Sequence, residues 1–150
     1  MLSKSCGYAI RGTVYLALKI PENRKVGIQE LADALDVPLH FMGKIMQNLA
    51  RCEIVNSTKG PHGGFFLQQT ALATPVIALV EAIDGLDVFR RCALNLPNCS
   101  ESNPCSLHKL IAPHRKKIYQ LLCQRTVRDL MADVQSGRTN LREGALPDLS

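Results

Sequence analysis

Between Gly27 and Cys52 the chain carries two helical periods separated by a turn of about three residues. Ile28, Leu31, Ala32 and Leu35 recur at i, i+3, i+4 and i+7, the spacing that lines apolar side chains along one helix face, and Glu30 sits near the positive end of that helix. Asp36-Val37-Pro38 turns the chain. Pro38 suits the first turn of the next helix, where the N–H it lacks would go unpaired anyway. Phe41, Met42, Ile45 and Leu49 form the second apolar stripe, running to about Cys52, and leave His40, Gly43, Lys44, Gln47, Asn48 and Arg51 facing away. A helix, a tight turn and a helix with a polar, cationic outer face is the helix-turn-helix pattern, whose second helix enters the major groove of DNA.

The flanks fit the same architecture. Ile10, Val14, Ala17 and Leu18 predict a helix with one buried face over Ser3 to Ile20, ended by Pro21-Glu22-Asn23-Arg24. The β-prone runs Ile54–Thr58 and Phe65–Leu67 flank Lys59-Gly60-Pro61-His62-Gly63-Gly64, which predicts a hairpin. Thr74 caps and Pro75 opens a fourth helix, with Val76, Leu79, Val80 and Ile83 inward and Gly85 just past its end. From Ser106, the residues Leu107, Leu110, Ile111, Ile118, Leu121 and Leu122 mark a helix to about Gln124, bent or broken near Pro113, whose exposed apolar face needs a partner. Thr126 with Asp129 resembles a capping box before a short last helix through Leu130, Met131 and Val134. The expected fold is mainly α. A winged helix-turn-helix domain, a three-helix core plus a β-hairpin wing, occupies 1–85, and a ligand-rich loop 86–108. A long dimerisation helix with a short terminal helix spans 106–135, and 136–150 is a mobile tail.

With 150 residues the chain supports one real core and an appendage rather than two independent domains. Lys and Arg outnumber Asp and Glu by 18 to 13, a net charge of +5 and a pI near 9.0, which favours a polyanionic partner. No apolar run has the length of a membrane span, and Met1-Leu2-Ser3-Lys4 opens no signal peptide, so the expected compartment is the cytoplasm. In that reducing setting, clustered cysteines serve as metal ligands or redox centres more often than as disulfides. No Ser/His/Asp set, phosphate loop or carboxylate pair argues for an enzyme.

Four soft or borderline ligands fall within 17 residues as Cys92-x6-Cys99-x5-Cys105-x2-His108. Thiolate and imidazole select iron-sulfur clusters, zinc or copper rather than magnesium or calcium. His108 lies about one helical turn beyond Cys105, so both reach one side if a helix begins there. The spacing leaves iron-sulfur, structural zinc and metal-free thiols open, although the close C-x2-C pairs usual for zinc are missing. Cys52 and Cys123 sit in helical apolar contexts, where free cysteine acts as a small hydrophobe. Cys6 is divided between packing and function, and nothing requires His62 or His114 to bind metal.

Leu2-Ser3-Lys4 with Tyr8-Ala9-Ile10-Arg11, Ile28-Gln29-Glu30-Leu31-Ala32, Lys59-Gly60-Pro61-His62-Gly63-Gly64-Phe65 and the Cys/His loop together resemble the IscR/NsrR (Rrf) family of bacterial winged-helix regulators, over roughly residues 1 to 135. The resemblance implies a homodimeric transcription factor, with long helices crossing at the dimer interface and an iron-sulfur cluster on Cys92, Cys99 and Cys105. His108 matches the histidine that completes a 2Fe-2S site in the IscR branch. The nitric-oxide-sensing branch uses a carboxylate near the N-terminus of the partner chain, where this chain has Cys6-Gly7-Tyr8. The first cysteine spacing is one residue longer than in IscR-like proteins, which keeps 4Fe-4S beside the favoured 2Fe-2S and Cys6 beside His108 as fourth ligand.

For contact with double-stranded DNA, the candidates are His40, Phe41, Lys44, Gln47 and Asn48 on the recognition helix and Lys59 and His62 on the wing. Gln and Asn pair with adenine edges, and Lys serves guanine or phosphate. Phe41 is divided between a core position, the favoured one, and a thymine-methyl contact. Lys4 and Arg11 are placed to touch phosphate, with a solvated basic face as the default. The expected function is a repressor on a palindromic operator that senses iron-sulfur, redox or nitric oxide status. Its rivals are a winged-helix regulator using zinc or a cysteine thiol switch, and an iron-sulfur carrier that does not bind DNA.

Overall fold

The computed structural model describes residues 1–142. Helix α1 (Lys4–Leu18) starts at Ser3, whose Oγ accepts from the Cys6 amide at 3.0 Å. It lies against α2 (Ile28–Leu35), α3 (Leu39–Arg51), α4 (Val76–Asp84) and α6 (Val127–Gln135). This central place explains why more than the one expected face is buried: Cys6, Ala9, Gly12, Thr13, Val14, Leu16 and Ala17 are all inside, while Ile10 and Leu18 are half-buried. Small residues let neighbours approach closely. A Cβ on Gly12 would stand 3.2 Å from Met46 Sδ on α3. The hydroxyl of buried Thr13 donates to the Ala9 carbonyl at 2.8 Å, so no polar atom of its side chain is stranded.

Asp36 ends α2 in the left-handed region at φ 54°, and the Val37 amide bonds the Ala32 carbonyl at 3.0 Å. That closure redirects the chain within three residues, Asp36 to Pro38, and Pro38 becomes the residue just before α3 rather than part of its first turn. Met42, Ile45, Met46 and Leu49 bury the inner face of α3. Full burial of each large side chain contributes on the order of 1.5–3 kcal/mol. Phe41 lies about 100° from the axis of that stripe and is 47% exposed, which corrects its favoured core placement.

The expected hairpin is present but shorter. Strand β1 (Asn56–Thr58) pairs antiparallel with β2 (Gly64–Phe66), with Ser57 opposite Phe65. Val55 drops into the core instead of extending the strand. On its other edge β2 bridges to Val26, where Val26 and Phe65 exchange two backbone hydrogen bonds of 2.8 Å. A Cβ on Gly64 would lie 2.7 Å from the Val26 carbonyl oxygen, so glycine is required for this approach. Three helices with this wing make a winged helix-turn-helix.

Helix α4 begins one residue later than expected, after Pro75, and ends at Gly85, with φ 72°. Helix α5 (His108–Gln124) runs unbroken through Pro113. The proline sits in the second turn, where its ring deprives one carbonyl of a partner but does not end the helix. The capping box of α6 is formed: the Thr126 amide donates to Asp129 Oδ2 at 2.8 Å, and Thr126 Oγ1 accepts from the Asp129 amide at 3.3 Å. The junction between α5 and α6 is fastened to the start of α4, because the Val76 amide donates to the Arg125 carbonyl at 2.8 Å and the Val127 amide to the Thr74 carbonyl at 3.0 Å.

Part of the expected tail is placed. Leu141 packs on the core, and Arg142 donates to the Ala34 and Asp33 carbonyls at 2.7 and 3.0 Å. The rest of that expectation, 143–150, lies outside the described residues. No helix among the described residues is long and apolar enough to cross a membrane.

Candidate metal centre and nucleic-acid interface

The loop from Gly85 to Leu107 is short of regular structure. After a 3-10 turn at Leu86–Phe89, it is folded by local hydrogen bonds, among them Asn95 to the Cys92 carbonyl and Asn103 reciprocally with Ser100. These turns bring its cysteines together. The sulfur atoms of Cys92, Cys99 and Cys105 all lie within 4.8 Å of one another. Cys92 Sγ is 3.5 Å from Cys105 Sγ, and Cys99 Sγ is 3.2 Å from His108 Nδ1. His108 is the first residue of α5, so its imidazole is carried by the long helix and the three thiols by the loop.

Electrostatics divide the thiols. The backbone at Leu96, then the Leu94 amide and the neighbouring thiols, bring Cys92 down to about 7, close to neutrality. For Cys99, donation from the Cys105 amide acts downward, but burial and the thiols of Cys92 and Cys105 outweigh it, and the group is raised. Three sulfur donors and an imidazole fit iron-sulfur or zinc chemistry. A second observation supports that fit. Arg115 lines the same pocket with Ile111 and Leu107, is only 9% exposed, and has no hydrogen-bond partner for Nε or Nη1 among the described residues. Sequence reading missed Arg115. The signal was the i, i+3, i+7 spacing of His108, Ile111 and Arg115, which sets all three on one face of α5.

The remaining cysteines are distributed otherwise. Cys6 is fully buried in α1, where burial and then the Asp84 carboxylate push its thiol up to about 12. It is not among the sulfurs that converge within this chain. Cys52 and Cys123 are exposed, contrary to the packing role expected of them: one ends α3, and the other stands one residue before the end of α5.

On α3, His40, Phe41, Lys44 and Gln47 are exposed together, with the His40 and Phe41 rings 4.1 Å apart. Lys59 and His62 are exposed at the wing tip, and Lys4 at the start of α1. Two candidates are placed differently. The Asn48 amide nitrogen donates to the Ala82 carbonyl at 2.9 Å, which turns this half-buried residue toward α4 instead of outward. Arg11 is half-buried, and its guanidinium donates to the Leu35 and Leu141 carbonyls, so it caps the end of α2 rather than standing free for phosphate.

A winged helix whose second helix exposes a polar face carrying Lys44 is the architecture of a class of DNA-binding regulators. The family model described as "Rrf2: Iron-dependent Transcriptional regulator" matches residues 2–133, and the chain belongs to that family. It is 29% identical over 133 residues to a protein of Aquifex aeolicus (strain VF5) that carries the name of an HTH-type transcriptional regulator, covering 87% of this chain and 91% of the relative. Among solved structures, the fold is similar to IscR of T. potens, with a TM-score of 0.71 at 17% identity, covering 96% of this chain and 93% of the other. It is also similar to CymR, the global cysteine regulator of B. subtilis, with a TM-score of 0.69 at 18% identity, covering 88% and 96%.

Proposed function

We propose that this transcriptional regulator is a homodimeric repressor of a palindromic operator and that it senses iron-sulfur, redox or nitric oxide status through a 2Fe-2S centre held by Cys92, Cys99, Cys105 and His108. The observation that carries the reading is the convergence of three loop thiols, one of which, Cys99, lies 3.2 Å from the histidine that opens α5. When bound, such a group supplies a one-electron couple and a target for oxidants and nitric oxide. The chain's own part is mechanical. Holding the loop to the first turn of α5 fixes the loop against a helix that packs on α4, and α4 packs on α3, where Asn48 is bonded to Ala82. Loading the site then biases the recognition helices only as far as the two states differ in affinity for DNA.

His40, Phe41, Lys44 and Gln47 meet the major groove, Lys59 and His62 the flanking backbone, and Lys4 a phosphate. The second copy covers the outer face of α5, where Leu110 is 65% and Leu121 50% exposed. The test is iron, sulfide and zinc analysis with a visible spectrum on protein purified without oxygen. A coloured protein with about two irons and two sulfides per chain is the expected result, and a colourless protein with one zinc overturns it.

One close approach favours a second reading, a thiol switch. Cys92 and Cys105 are 3.5 Å apart, and oxidation to a disulfide would release two protons and two electrons to an oxidant such as a peroxide. Mass spectrometry of the oxidised apoprotein checks for that bond.

A further inference from the structure

Arg115 poses a problem that its surroundings in this chain leave unsolved. An arginine guanidinium does not shed its charge on burial as a lysine ammonium can. A buried charge without a partner is strongly unfavourable. Yet Arg115 is 9% exposed, Nε and Nη1 have no acceptor among the described residues, and no ion pair is formed with it there. Side chains on a helix lean toward its N-terminus. From position 115 that direction leads past Ile111 to His108, and the pocket reached is the one walled by Cys92, Cys99 and Cys105. Thiols must lose their protons to bind a metal, and three thiolates with a neutral imidazole leave a loaded centre anionic.

Building on the proposed centre, we infer that Arg115 is its buried counter-charge: a positioning residue whose Nε and Nη1 donate to the sulfur atoms of the loaded site, retain the metal and ease its reduction. The effect of such a group has opposite signs in the two states of the protein. Without metal, Arg115 is an unpaired buried cation and lowers stability; with metal, it is paired and raises it. A residue that served packing alone would support both states alike.

The test compares full-length wild-type protein with Arg115→Met, which keeps bulk and removes charge, and Arg115→Lys, which keeps charge without the fork. Each is reconstituted with iron and sulfide without oxygen. Chelator-driven loss, reduction potential, and thermal midpoints of apo and loaded protein are measured. The expected result is an Arg115→Met apoprotein at least as stable as wild type, with loss of metal about 10- to 100-fold easier and a more negative potential, Arg115→Lys lying between. Unchanged retention and potential in Arg115→Met overturn the inference, as does equal destabilisation of both its states. If wild type takes zinc and no iron or sulfide, the iron-sulfur reading falls by itself. Arg115 is then judged on zinc retention: faster loss from Arg115→Met supports the counter-charge and unchanged loss overturns it. A wild-type protein that takes neither metal overturns both.

Discussion

Lys44 and Lys59 are single charges on two different elements, one on the recognition helix and one at the wing tip, and both are exposed. Removing one lysine–phosphate interaction lowers the salt dependence of binding by about one unit of slope. Lys44→Ala and Lys59→Ala are expected to weaken operator binding and flatten that slope, measured by fluorescence anisotropy across a salt series. Asn48→Ala serves as the contrast. Its amide bonds the Ala82 carbonyl, so its removal is expected to cost on the order of 1 kcal/mol in denaturant unfolding and to leave the salt slope unchanged. Residue type marked Lys44 and Lys59 as candidates in the sequence, and both are exposed. Asn48 and Arg11 also carry donors suited to DNA but give them to carbonyls from elements remote in sequence, which no local pattern encodes. Arg115 escaped for the related reason that a charge is read as exposed unless its partners are known.

At the scale of elements, the periods of α2 and α3, the wing turn and the Thr126 cap were legible because each follows from nearby residues. The wide burial of α1 was not, since it depends on which helices surround it. The capping box makes a direct prediction. Thr126→Ala is expected to destabilise the fold by about 0.5–2 kcal/mol, read as a shift in the urea midpoint. The backbone N–H of Thr126, and then its hydroxyl, hold the Asp129 carboxyl below its ordinary value of 3.8. Stability from that depressed group is complete above the unfolded value and is lost as pH falls through the folded one. Asp129→Asn is therefore expected to flatten the acid limb of the stability curve, as acid titration followed by circular dichroism would record.

For the molecule as a whole, the proposed dimer rests on the outer side of α5. Leu110 and Leu121 stand there, with Leu94 46% and Leu96 50% exposed on the loop. On the proposed homodimer and palindromic operator, Leu121→Glu is expected to shift sedimentation from dimer to monomer and to reduce operator affinity, since a monomer would grip one half-site, while leaving the helical content of each chain intact. The approach of the three loop thiols was legible in outline from their crowding between Cys92 and Cys105 in the sequence. Their closure was not, because it depends on loop turns that follow no period.

The fastening of Arg125 and Val127 to Thr74 and Val76 has a consequence for how such a protein can change over time. The chain leaves the winged helix at the end of α4 and returns beside the start of α4, so the cysteine-bearing stretch is an excursion with anchored ends. Doubling the length of such an excursion costs only about 0.6 kcal/mol in closure entropy. Its residues can be replaced, respaced or stripped of ligands with little penalty to the scaffold, and descent with modification can fit one DNA reader with different chemical senses.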